Sequence, residues 1–79
     1  MKVVRKKIIP QYFKDVCSGK KNFELRKDED DIQVGDILVL EEWDLEMGRT
    51  GYCTERKVTY ILRNVPEYGL KDGYCIIGW

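Results

Sequence analysis

The sequence predicts a small, mostly β domain: a barrel of about five to six strands with one short helix near the N-terminus. The chain has 79 residues, 43% of them hydrophobic, which suffices for one core and indicates a single domain over residues 1–79. Helical spacing occurs only near the N-terminus, and the later apolar stretches are short and separated by glycine turns. Because so small a sheet would expose its edges, we expect it to curl into a barrel.

The first elements are a strand and a short helix. Residues 3–9 are β-branched and apolar at both ends, which is typical of a strand. Pro10 suits the first turn of a helix, and the apolar residues of 12–17 then recur on one helical face. Gly19 is placed to end that helix, because glycine adopts the left-handed conformation at low cost.

The next segment, residues 22–27, alternates strictly between two kinds of side chain. Phe23 and Leu25 fall on one side, and Glu24 and Arg26 fall on the other. This pattern predicts a half-buried strand whose second face is polar.

The remaining elements are strands joined by turns. Residues 37–44 begin as the most hydrophobic strand of the chain, and residues 45–51, with two glycines, form the tip of a hairpin. Residues 52–62 are predicted as one long strand, with Tyr52 and Tyr60 used in packing. A loop then leads to a terminal strand at residues 74–79.

Composition excludes several classes of function. The chain has no histidine, which excludes Ser-His and Cys-His nucleophile systems and imidazole metal ligands. Its three cysteines form no CxxC pair and are predicted to be small buried hydrophobes, so we expect no disulfide, metal or cofactor. There is no apolar run near the length of a membrane span, nor a signal-peptide core, so we expect no membrane association and a cytoplasmic location.

Charge is balanced in total but segregated along the chain. Residues 1–27 carry nine basic and two acidic side chains, whereas residues 28–47 carry nine acidic side chains and no basic one. These two blocks either attract each other within the fold or form a basic patch for an anionic ligand beside an acidic rim.

The densest polar cluster lies at residues 19–26. A helix end at Gly19 is followed by Lys20 and Lys21, and the next strand places Glu24 and Arg26 on one face. Arginine offers a planar fork for phosphate or a base edge, and lysine offers a mobile point charge. The alternative is an ordinary exposed strand with a Glu–Arg ion pair, which contributes little to stability.

This segment, G-K-K-N-F-E-L-R, resembles the G-x-K-x-x-E-x-R motif of the ASCH domain, a member of the PUA-like β-barrel superfamily. The flanking stretches at residues 8–13, 34–44 and 69–78 are similar to a compact, uncharacterised branch found in bacteria and phages. The resemblance implies a PUA-like barrel and an RNA-binding cleft beside the motif. The motif residues by position are Gly19, Lys21, Glu24 and Arg26, with Lys20 as a neighbour.

Some members of the ASCH family are enzymes. One group deacetylates acetylated cytidine with the motif lysine, a threonine on the same strand and a distant glutamate, and a ribonuclease activity is attributed to another ASCH domain. Glu24 stands at the position of that threonine, so the hydroxyl nucleophile is absent. An enzyme acting in this cleft would use Lys21 as a base and Glu24 as acid or base.

Two further residues are candidates for the ligand site. Trp43 lies among acidic residues at the end of a hydrophobic strand, where its indole either stacks on a base or caps the core. Lys7 shares a strand face with Arg5, and either extends the basic surface or protects a strand edge from pairing with another chain.

The sequence therefore predicts a monomeric module that binds RNA or a nucleotide. The residues expected at the site are Gly19, Lys20, Lys21, Glu24, Arg26, Trp43 and Lys7. The alternatives are a small hydrolase acting on RNA or a modified nucleoside in the same cleft, and a protein-interaction module that uses the acidic segment 28–47.

Overall fold

The computed structural model describes residues 1–79 and contains six strands, one α-helix and a short 3-10 turn at Pro66–Tyr68. The strands are β1 (Val3–Ile8), β2 (Phe23–Lys27), β3 (Ile37–Asp44), β4 (Gly48–Lys57), β5 (Tyr60–Leu62) and β6 (Tyr74–Gly78), and helix α1 spans Pro10–Cys17. This confirms a mostly β domain with one N-terminal helix.

The strands form two three-stranded sheets, in the orders β1-β3-β4 and β2-β6-β5. In the first sheet β1 runs parallel to β3, and β3 pairs antiparallel with β4; the second sheet is antiparallel throughout. No closed barrel forms, so that part of the prediction is not confirmed. Strands β1 and β2 are consequently both edge strands, one in each sheet.

The long strand predicted at 52–62 is divided between the two sheets. The backbone N–H of Val58 donates to Asp36 in the turn before β3, whereas the N–H of Thr59 donates to Gly78 on β6. The Val58 side chain is 1% exposed, so the chain crosses through the core at this point. β4 also begins at Gly48, which makes the hairpin tip shorter than predicted.

The core lies between the two sheets and under α1. It consists of Val4, Ile8, Val16, Ile32, Leu38, Leu40, Val58, Cys75 and Ile77, with Phe13, Ile61 and Trp79 packed against it. Val16 is the one fully buried residue of α1, and Pro10 at the first turn leaves no backbone N–H to satisfy. None of the helices has the length and apolar character needed to cross a membrane.

Several side chains predicted as buried are exposed. Tyr52 and Tyr60 are 70% and 66% exposed, so their predicted packing role is wrong. Cys17 and Cys53 are also exposed, and only Cys75 is buried, where burial raises the pKa of its thiol. For the strand residues Tyr52, Cys53 and Tyr60 the cause is that periodicity alone cannot say which face of a short strand meets the core, whereas Cys17 is the last residue of α1.

Candidate functional site

A cleft of about 490 Å³ opens between the C-terminal end of β1, the start of α1 and strand β2. Because β1 and β2 are edge strands of different sheets, this is where the two sheets leave a gap. The cleft is lined by Lys7, Ile8, Ile9, Tyr12, Lys21, Phe23, Glu24, Leu25 and Arg26. Four of the predicted site residues therefore line one feature, namely Lys7, Lys21, Glu24 and Arg26, whereas Gly19, Lys20 and Trp43 are not among the lining residues.

Gly19 sets the direction in which the chain leaves α1. Its φ is +81°, and its N–H donates to the carbonyl of Val16, while the N–H groups of Lys20 and Lys21 both donate to the carbonyl of Asp15. These bonds are the pattern of a Schellman motif, in which a left-handed residue follows the helix end. Gly19 therefore has a structural role at the site, because it turns the chain so that Lys21 reaches the cleft.

Strand β2 is inverted relative to the usual arrangement. Glu24 is 5% exposed, whereas Phe23 and Leu25 are 47% and 55% exposed. The prediction of an alternating strand is right, but the assumption that its charged face meets solvent is wrong. The charged face turns inward because its carboxylate is fully paired, and only a paired charge is tolerated at such burial.

Glu24 holds two cations, one on each carboxylate oxygen. Lys21 Nζ donates to Oε1 and also to the carbonyl of Phe23 at 2.9 Å, and Arg26 Nε donates to Oε2 at 2.6 Å. The side chains of Lys21 and Arg26 are themselves only 15% and 26% exposed. At this depth the three groups order one another, because moving any one of them would leave a buried charge without a partner.

Arg26 also bridges the two sheets. Its Nη2 donates to the backbone carbonyl of Lys7 on β1, so one guanidinium links the edges that face each other across the gap. The remaining nitrogen, Nη1, has no hydrogen-bond partner within the protein. Arg26 is therefore a fixed guanidinium with one free N–H₂ group in the wall of the cleft.

Two aromatic rings stand beside the Lys21 ammonium. Nζ lies 5.4 Å from the ring centroid of Tyr12 and 5.1 Å from that of Phe23, within range of a cation–π attraction. Tyr12 and Phe23 are 45% and 47% exposed, so their rings remain open to solvent. The cleft thus combines buried charges at its base with exposed aromatic surface at its mouth.

Residues 5–79 match the family model described as a domain of unknown function, DUF3850. The chain belongs to the DUF3850 family. The match covers every residue that lines the cleft. A search of curated proteins found no significant match to this DUF3850 chain.

Trp43 lies beside the cleft of the DUF3850 domain, where it contacts the cleft residue Lys7. Lys7 Nζ sits 4.0 Å from the indole centroid, and Trp43 is half-buried outside the core cluster. The interpretation of Trp43 as a core residue is therefore wrong. Lys7 covers one side of the indole, so Trp43 holds Lys7 at the rim of the cleft.

The acidic segment is largely paired with cations of the same chain. Lys6 Nζ contacts Glu29 at 3.3 Å and also pairs with Asp30, and hydrogen bonding to Asp30 is the main cause that raises the pKa of Lys6. Arg63 Nε lies 2.8 Å from Asp28 Oδ2. The two charge blocks therefore attract each other within the fold, and this attraction leaves fewer free carboxylates for a protein partner.

Five residues that line the cleft were not predicted as site residues, namely Ile8, Ile9, Tyr12, Phe23 and Leu25. Tyr12 was assigned to the apolar face of α1, where its spacing fits equally well. The sequence offered no signal for Phe23 and Leu25, because the alternation in β2 does not say which of its two faces is buried. No group of three or more potential metal ligands occurs in the domain.

Proposed function

We propose that this DUF3850 domain binds single-stranded RNA or a nucleotide in the cleft between β1 and β2. The observation that carries the proposal is the buried carboxylate of Glu24, held between Lys21 and Arg26 beneath exposed aromatic rings. Buried charges impose a desolvation cost that an ordinary surface strand avoids. An anionic ligand with a flat ring is the partner whose chemistry fits this combination.

The cations supply the anion-binding part. Arg26 is fixed by Glu24 and by the carbonyl of Lys7, which leaves Nη1 free to donate to a phosphate oxygen or a base edge. Lys21 adds a second positive charge, and the exposed Lys20 precedes it at the rim. A pre-ordered guanidinium loses little conformational entropy on binding, which favours its use as the main contact.

The aromatic rings supply the part that recognises a base. Tyr12 and Phe23 each expose close to half of their surface at the cleft. Stacking of a base on such a ring contributes about 1–3 kcal/mol in single-strand binders. A volume of about 490 Å³ lies in the range of small-molecule sites and is sufficient for one nucleotide.

Glu24 serves to position the cations. Both of its oxygens already accept charge-assisted hydrogen bonds, from Lys21 and from Arg26. We therefore assign it the role of orienting Arg26, rather than reading a base directly.

The resemblance of residues 19–26 to the ASCH motif supports the same function, and we propose that the domain is an ASCH relative whose two sheets are an open form of the PUA-like barrel. An RNA ligand also implies a cytoplasmic location. Binding is favoured over hydrolysis because Lys21 Nζ donates to both a carboxylate and a carbonyl, and a base needs a free lone pair instead.

An amide chemical-shift titration of the labelled domain with short single-stranded RNA tests this proposal. We expect shifts that cluster at residues 20–26 and at Tyr12, and a logarithmic salt dependence with a slope of about −2 for three phosphate contacts. Arg26→Gln should weaken binding at least tenfold. The matched control is Lys57→Gln, which removes an exposed, unpaired charge from the far end of β4 and should leave affinity unchanged.

Absence of shifts at low salt, with both RNA and free nucleotides, would refute the proposal. Equal losses in Arg26→Gln and Lys57→Gln would refute the assignment to this cleft, because general charge attraction would then account for the binding. Product signals that appear with time would instead support the hydrolase.

A further inference from the structure

The outer face of the second sheet is apolar and only partly covered, by the loop at residues 69–71 beside Leu25 and Tyr74. Its outward positions are Phe23, Leu25 and Lys27 on β2, Tyr74, Ile76 and Gly78 on β6, and Tyr60 and Leu62 on β5. The inward positions of β6, Cys75 and Ile77, are also apolar and fully buried. An antiparallel sheet with one solvated face normally alternates apolar and polar residues, so this face has the composition of a contact surface.

A second depression, of about 260 Å³, lies on this side of the domain. It is lined by Leu25, Gly69, Leu70, Lys71 and Tyr74. Leu25 also lines the cleft described above, so the two concavities are neighbours that share this one residue.

The second depression resembles the cleft in that it also places lysine side chains beside an aromatic ring. Lys71 Nζ lies 5.6 Å from the ring centroid of Tyr74, and Lys27 is the cross-strand neighbour of Tyr74. A half-buried aromatic ring beside two exposed ammonium groups offers a surface for a base and charge for a phosphate.

We infer that a single strand of RNA held in the cleft continues across Leu25 into this depression, where a second base stacks on Tyr74 and its phosphate meets Lys71 and Lys27. The inference rests on the proposed function and extends it from one nucleotide to a strand. Phe23 and Leu25 form the surface between the two subsites, and this stretch suits a base rather than a phosphate.

Charge favours RNA over a second copy of the chain as the occupant. The outward positions of the three strands carry one charged side chain, Lys27, and the depression adds Lys71; neither set includes an acidic residue. A surface whose only charges are positive complements a polyanion, whereas two identical copies would bring these lysines together.

Size favours the same occupant. Strands β2 and β6 have five residues each and β5 has three, so the sheet face covers at most about 250 Å², well below the ~800 Å² per partner of a stable protein interface. Sheet faces of comparable size in RNA-recognition domains stack two or three bases on exposed aromatic residues.

The test compares adenosine monophosphate with di-, tri- and tetra-adenylate RNA on the intact domain. We expect affinity to rise at least tenfold from the mononucleotide to the trinucleotide, with amide shifts spreading from residues 20–26 to residues 69–76. Tyr74→Leu should remove most of that gain and leave mononucleotide affinity unchanged. Lys71→Gln, at an exposed position that the fold does not need, should lower trinucleotide affinity several-fold, and Lys57→Gln is the matched control.

Other results would overturn the inference in distinguishable ways. Mononucleotide binding without a gain in affinity on lengthening would refute the second subsite while leaving the proposed function intact. Concentration-dependent sedimentation without RNA, abolished by Leu25→Lys, would identify a second copy as the occupant of the face. Failure of both mononucleotide and oligonucleotides to bind would refute the proposed function and this extension together.

Discussion

Glu24 is the residue on which the charge arrangement of the cleft depends. It is 5% exposed and is the only partner of the Lys21 ammonium among the acidic side chains, as well as the partner of Arg26 Nε. Replacing it by glutamine keeps the shape but leaves two partly buried cations without a counter-charge.

We therefore predict that Glu24→Gln lowers the free energy of unfolding by about 1–3 kcal/mol, the range for a lost partner of buried charged groups. Urea denaturation followed by tryptophan fluorescence measures this change. Glu55→Gln is the control, because Glu55 is exposed, makes no ion pair and should change stability by less than about 0.5 kcal/mol. Equal effects of the two substitutions would show that the buried triad contributes nothing specific.

Asp36 is one of two carboxylates whose hydrogen bonds make stability depend on acid. Its carboxylate accepts hydrogen bonds from the backbone N–H groups of Lys2, at 2.9 Å, and Gln33, at 2.8 Å, and these bonds lower its pKa below the ordinary 3.8. A lowered pKa in the folded state means that the stabilisation is complete above about pH 4 and is lost as the pH falls through the folded value.

Asp36→Asn should therefore flatten the acid limb of the stability curve below about pH 4, in addition to lowering stability at neutral pH. Urea midpoints measured from pH 7 to pH 2 check this expectation. An unchanged acid limb in the variant would assign the acid sensitivity to other carboxylates, of which Asp44 is the next candidate because hydrogen bonds from Met47 and Glu46 lower its pKa.

At the scale of elements, the end of α1 determines where the motif lysines lie. Gly19 at φ +81° lets the helix end and the chain turn at once. Alanine at a left-handed position costs about 1–2 kcal/mol, and asparagine costs less because it adopts this conformation more readily.

We predict that Gly19→Ala destabilises the domain by that amount and Gly19→Asn by about half of it, measured by thermal unfolding. Apart from Gly19 and its two chain neighbours, no atom lies within 4 Å of where a Cβ at this position would stand, so a clash with the rest of the fold cannot account for the loss. Equal stability of alanine and wild type would mean that the turn forms without a left-handed residue.

The outward-facing apolar side chains of strand β2 lead to a second prediction at the scale of elements, which concerns the stability cost of removing them. Leu25→Ala should cost less than about 1 kcal/mol because Leu25 is 55% exposed. Leu40→Ala on β3, at 0% exposure, should cost about 2–5 kcal/mol. A large loss from Leu25→Ala in urea denaturation would show that the outer sheet face is covered in solution.

At the scale of the whole molecule, the two charge blocks meet within the fold. Lys2 and Lys6 on the β1 side pair with Asp36 and with Asp30, which keeps the acidic loop against the first sheet. Lys2 is 44% exposed and Asp30 is 34% exposed, so each pair is open to solvent on one side. Pairs that are open to solvent contribute about 0–1 kcal/mol each and are screened by salt. We expect added salt to weaken RNA binding markedly and to change the urea midpoint little. Measuring both on one sample distinguishes the electrostatic contribution to RNA binding from the electrostatic contribution to the stability of the fold.

The accuracy of the sequence-based predictions depended on how local the controlling interaction was. Strand β1, helix α1 and the turn at Gly19 were predicted closely, because proline, glycine and helical spacing act over a few residues. The predicted strand at 52–62 was wrong, because its break at Val58 arises from backbone bonds to Asp36, a residue distant in sequence.

The sequence by itself determined the first strand and the helix, the chemistry that the chain cannot perform without histidine, and the group of charged residues at 19–26. Only the tertiary structure decided that Glu24 lies inside and Leu25 outside, and that Arg26 joins two sheet edges across a cleft. The physical reason is that alternation in a strand defines two faces but does not say which one meets the core. That choice depends on long-range packing and on the pairing of buried charges, and neither is encoded in a local pattern.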